Sequence, residues 1–126
     1  MPASSVFDLD IIRPLTAATD AATTLTAAQI IDGIVTMTPT TGRALTTPTG
    51  AQIIAGLGDS PAVGATFQLT VVNAAAATHA ITLTAGASGV TLAGVAAMAT
   101  VAAATSATYL FRIATATTVI VYRKGG

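Results

Sequence analysis

The chain has 126 residues, with five basic and five acidic side chains, one His, no Cys and no Trp; charged residues make up 8% and alanine and threonine dominate the rest. That balance excludes the clustered cations a phosphate-binding surface requires, and the absence of Cys excludes disulfides and thiolate metal sites. No run approaches the roughly 18 consecutive apolar residues of a membrane-spanning helix.

Residues 1–25 are expected to form an N-terminal arm. Met1-Pro2-Ala3-Ser4-Ser5 lacks the basic start and apolar run of a signal peptide. Val6, Phe7, Leu9, Ile11 and Ile12 then form a small apolar group around Asp8 and Asp10. Residues 16–24 are almost all Ala, Thr and Asp, with little bulk to bury. Such an arm either clasps a neighbouring subunit or frays.

An internal echo follows. Residues 26–33 read TAAQIIDG and residues 49–56 read TGAQIIAG. Each copy predicts a helix of about two turns with its Ile pair pressed on a sheet. Thr26 is placed to cap the first, and Gly33 to supply its left-handed exit. Thr47 and Pro48 are placed to start the second, with Gly56 or Gly58 ending it. Between the copies, residues 34–38 and 43–46 alternate like strands across a turn at residues 40–42, which predicts a hairpin.

Beyond Asp59-Ser60-Pro61 the pattern turns to β-structure. Residues 66–73 alternate Phe67, Leu69 and Val71 against Gln68 and Thr70. Residues 81–84, 90–92, 108–113 and 117–123 continue the period of two, broken by turns. His79 falls in a predicted hairpin turn. The fold class expected is mainly β: an antiparallel sandwich or small barrel with two short helices and an extended N-terminal arm. Residues 26–126 form a single domain. Its helix-hairpin-helix portion is 26–58 and its antiparallel strands lie in 63–123. Ala buries little area and the surface carries few charges, so partner subunits are expected to supply part of the stability.

The chemistry-bearing residues are sparse. A nucleophile triad needs a His beside Ser or Cys, and His79 has no G-x-S-x-G to serve. Asp8 and Asp10 have no third acid to complete a calcium loop. Gly56-Leu57-Gly58 lacks the spacing of a nucleotide-binding fingerprint. No catalytic, cofactor-binding or metal-binding residue is assigned, and no cofactor is expected. Arg123-Lys124 reads as a solvated tail. The Thr-x-Thr pairs at 36/38, 82/84 and 115/117 read as β-formers rather than an ice-ordering array. Arg43 and Arg112 sit inside predicted strands. An Arg on an outward face can pair with an Asp of a neighbouring subunit, or stand alone as a charge that discourages edge pairing.

Residues 25–33 (LTAAQIIDG), 46–54 (TTPTGAQII), 63–67 (VGATF), 81–86 (ITLTAG), 89–92 (GVTL) and 119–123 (VIVYR) together resemble small tailed-phage virion proteins. The family includes capsid decoration (cement) proteins and related head or fibre proteins. The resemblance implies a homotrimer on the outer capsid surface of the virion, bridging major capsid protein subunits, with no nucleic acid or membrane partner. The arm residues Val6, Phe7, Leu9, Ile11 and Ile12, with Arg43 and Arg112, would make the capsid or subunit contacts. A phage fibre or receptor-binding module is the alternative.

Overall fold

The computed structural model describes residues 13–58, 61–94 and 96–125. The apolar arm residues Val6, Phe7, Leu9, Ile11 and Ile12 lie outside the described residues. In chain order the strands are β1 (Leu15–Ala17), β2 (Thr23–Thr24), β3 (Ile34–Met37), β4 (Arg43–Thr46), β5 (Thr66–Asn73), β6 (Ile81–Thr84), β7 (Val90–Leu92), β8 (Thr100–Val101), β9 (Ser106–Ile113) and β10 (Val119–Gly125). Helix α1 (Ala27–Ile30) lies between β2 and β3, and α2 (Gly50–Gly56) between β4 and β5. The fold is mainly β with two short helices.

The strands form two sheets. The first is six-stranded in the order β1-β3-β5-β9-β10-β7, and the second four-stranded in the order β2-β4-β6-β8. From β1 to β9 the chain changes sheet at every step. So β1, β3 and β5 stack in parallel in one layer, while β2, β4 and β6 stack in parallel in the other. Strands β8 and β9 then return antiparallel on β6 and β5, and β10 pairs antiparallel with β9. Strand β7 lies parallel to β10.

This pairing corrects several expectations. The sheets are mixed rather than antiparallel. The expected hairpin of residues 34–46 is instead an arch between layers, because β3 pairs with β1 and β5 while β4 pairs with β2 and β6. Asp20 holds that arch. Its carboxylate accepts from Thr40 N, Thr40 Oγ1 and Arg43 Nε. The loop carrying His79 is likewise an arch between β5 and β6, not a hairpin turn.

Residues 13–25 belong to the body rather than to an arm. They supply β1 and β2, which pair with β3 and β4, and Leu25 is buried. Their poverty in apolar side chains does not matter here. Backbone ladders and Asp20 hold them where bulk is lacking.

The core takes inward residues from both layers. Val35, Met37, Phe67, Leu69, Val71, Tyr109, Phe111, Val119 and Val121 meet Leu45, Ile81, Leu83 and Val101 in one cluster. Phe67 and Phe111 are cross-strand partners whose rings stack with centroids 4.8 Å apart. The helices close one side, with Ile30 and Ile53 fully buried and Ile31 and Ile54 packed partly against the cluster.

The echo proves to be a pair of capping boxes. Thr26 accepts from Gln29 N while the Gln29 side chain accepts from Thr26 N, and Thr49 and Gln52 repeat the exchange. The second helix therefore begins at Thr49 rather than Thr47. Helix α1 is one turn, not two. Its left-handed exit falls on Asp32 (φ 52°), not Gly33. Gly33 is needed for space, since a Cβ there would run into Gln29 O. Gly58, with φ of 96°, makes the exit after α2.

Candidate functional site

Strand alternation sorts the surface into two outward faces. On the four-stranded sheet the face is small and hydroxylated. Thr24, Thr46 and Thr84 lie side by side across β2, β4 and β6, and Ala44, Thr82 and Thr100 across β4, β6 and β8. Thr24, Thr82, Thr84 and Thr100 are exposed.

The outward face of the six-stranded sheet is different. One row runs Gln68, Leu110, Tyr122 across β5, β9 and β10, and the next runs Thr66, Arg112, Ile120, Thr91. Another carries Leu15, Ile34, Thr70 and Thr108. Leu15 is 68% exposed and Tyr122 39%. Leu110, Ile120, Ile34 and Val72 are half-buried. Arg112 stands exposed among them, in an ordinary strand position fixed by its inward neighbours Phe111 and Ile113. It makes no ion pair among the described residues.

The two sequence-predicted arginines therefore part company. Arg43 is half-buried and donates to Asp20 Oδ1 at 2.8 Å within its own chain. The Thr40 hydroxyl and the Arg43 guanidinium hold the Asp20 carboxyl down at about 2. Arg43 is thereby committed to the arch, and Arg112 alone of the two is presented outward. Arg123, read as a solvated tail, is a brace. It donates to Met98 O and Thr100 O and lies 6.0 Å over the Tyr109 ring. Burial pushes the Tyr109 hydroxyl up, with Arg123 opposing; that hydroxyl donates to Met98 O.

Two buried polar side chains tie loops: Asn73, whose role the sequence did not show, and Thr47, expected to start a helix. Asn73 Nδ2 donates to His79 O and Val101 O, and its Oδ1 accepts from Ala75 N. Thr47 Oγ1 donates to Pro48 O and accepts from Gly86 N. An Asn closing an otherwise apolar strand alternation was the signal for the first. Every buried side-chain polar atom among the described residues is hydrogen-bonded.

A shallow depression lies between the start of α1 and α2, lined by Thr24, Leu25, Thr26, Ala27, Pro48 and Gln52. None of these six side chains titrates or ligates a metal well. Among the described residues no three His, Cys, Asp or Glu come together. Compared with protein-family models, curated proteins and solved structures, the chain finds no match in any of the three.

Proposed function

We propose that this chain is a structural virion protein. It assembles as an oligomer, a trimer by the family resemblance, on the outside of a tailed-phage head and stabilises contacts between major capsid protein subunits. One observation supports the reading above the rest. The outward face of the six-stranded sheet combines half-buried Leu110 and Ile120, the exposed Tyr122 ring and an exposed Arg112. Aromatic rings and Arg with few other charges are the composition of a protein contact surface. The arched two-layer body suits a load-bearing role, because each parallel stack is tied to the other through one core.

A cryo-electron map of the particle that carries this chain tests the proposal. The expected density is an oligomer on the outer head surface, at a threefold or quasi-threefold position. Density on the tail or on a fibre replaces this reading with the fibre or receptor-binding alternative. Absence of the chain from purified virions defeats both. On isolated heads, Leu110→Lys with Ile120→Lys is expected to abolish co-sedimentation while the protein stays folded.

A further inference from the structure

We infer that, off the particle, two copies of this chain close face to face through the outward side of the six-stranded sheet, with Arg112 of each copy on Asp32 of the other. The inference goes beyond the virion reading and does not rest on it.

The charges come first. Asp32 follows α1 and stands level with Gln68, whose N–H its Oδ1 accepts. Arg112 pairs in register with Thr66, two residues from Gln68 along β5. Strand β5 therefore lies between the two, which sit two strand spacings, about 10 Å, apart on one face. They make no ion pair with each other. Each has capacity left. Arg112 is exposed and makes no ion pair among the described residues. The Asp32 side chain is 44% exposed, and both of its contacts, Gln68 N and Arg13 at 3.8 Å, fall on Oδ1. Its Oδ2 accepts nothing among the described residues.

The apolar side chains divide the same way. On the β1–β3 half of the face, Leu15 and Ile34 accompany Asp32. On the β9–β10 half, Leu110, Ile120 and Tyr122 accompany Arg112. Each half thus sets apolar side chains around one charge, and the two charges are opposite. Two such halves on one face are self-complementary. Turning a second copy over about an axis near β5 lays each half on the other, so the contact closes as a pair. Arg13 and Lys124 are exposed at the margins of the face, where salt and water screen them.

Area agrees. Six strands at about 4.8 Å spacing make a face about 24 Å wide, and the eight residues of β9 run roughly 27 Å. Allowing for the short edge strands, about 600 Å² is covered on each copy, or about 1,200 Å² in all, the lower end for a specific interface.

Charge reversal tests the pair in purified protein without particles, by sedimentation equilibrium over a concentration series. The wild-type chain is expected in a monomer–dimer equilibrium. Arg112→Asp and Asp32→Arg, each alone, are expected to weaken self-association by about tenfold or more, since each homodimer then opposes like charges twice. Mixed one to one, the two variants are expected to regain the dimer, because both contacts are again Asp with Arg. Thermal melts at low concentration confirm that each variant is folded. Should Asp32→Arg unfold, Asp32→Asn replaces it. It keeps an acceptor for Gln68 N and tolerates the φ of 52°, and it too is expected to lower self-association. A wild-type chain that stays monomeric up to about 1 mM overturns the inference. So does self-association that Arg112→Asp leaves unchanged, or a mixture that dimerises no better than its parts. A discrete trimer overturns the face-to-face pair and supports the oligomer that the resemblance implies. A dimer from a chain absent from virions upholds the pair and defeats the virion reading; a monomer that decorates heads does the reverse.

Discussion

Arg43 Nε meets Asp20 Oδ1 at 2.8 Å across 23 residues of chain, joining the β1–β2 connection to the first residue of β4. The same carboxylate accepts from both donors of Thr40, its backbone N–H and its hydroxyl. These contacts set a pH dependence. The Asp20 carboxyl, ordinarily near 3.8, is held at about 2 in the folded chain. A depressed folded value stabilises above the unfolded value and is lost as pH falls through the folded one. Denaturant midpoints should therefore fall as pH drops from 3.8 towards about 2. Asp20→Asn should be less stable at neutral pH and lack this part of the slope. An unchanged acid limb in Asp20→Asn would remove the carboxylate from the account.

Asn73→Ala tests the second arch. Asn73 is 1% exposed and its amide supplies both His79 O and Val101 O. Removing it strands buried acceptors, which costs about 1–3 kcal/mol. Equilibrium unfolding should show that loss without a change in the dependence on denaturant concentration. A loss below about 0.5 kcal/mol, the scale of an ordinary surface substitution, would mean that water replaces the side chain without penalty.

Gly86→Ala addresses the close passage of two loops. A Cβ at Gly86 would lie 2.6 Å from Thr47 O and against Pro48 O, both backbone. It would also push Gly86 N from the Thr47 hydroxyl, now 2.8 Å away. Backbone cannot yield as a flexible side chain can, so a destabilisation of about 1–3 kcal/mol is expected by chemical denaturation. Gly42→Ala is the control. Its Cβ meets nothing closer than 4.0 Å, so little change is expected.

The strands were legible because side-chain alternation is local. Phe67, Leu69 and Val71 point inward whatever β5 pairs with. Which sheet a strand joins was not legible. Val35, Met37 and Leu45 face the core equally in a hairpin, where β3 and β4 would be neighbours, and in an arch, where they face each other across it. The deciding contact, Asp20 with Thr40 and Arg43, lies outside any local window. The helix starts were partly legible. Thr26 was placed correctly, but the Gln three residues after each Thr was the stronger signal and fixes Thr49 over Thr47. On the six-stranded sheet, the outward position of Arg112 followed from strand alternation once Phe111 faced the core. That Arg43 was already engaged did not.

Arg112 and Arg123 stand on neighbouring antiparallel strands and should respond differently to truncation. Arg123 is half-buried, donates to two backbone carbonyls and lies over the Tyr109 ring. Arg123→Ala should cost about 1.5–2 kcal/mol, the lower part of the range for charged hydrogen bonds because water reaches the site. Arg112 is exposed and makes no ion pair among the described residues. Arg112→Ala should change stability by less than about 0.5 kcal/mol at concentrations where the chain is dispersed. At higher concentration the wild-type chain should gain stability from assembly, by mass action, and Arg112→Ala should gain less. Thermal melts over a concentration series separate the two effects. A concentration-independent difference would assign Arg112 to the fold of the single chain rather than to its contacts.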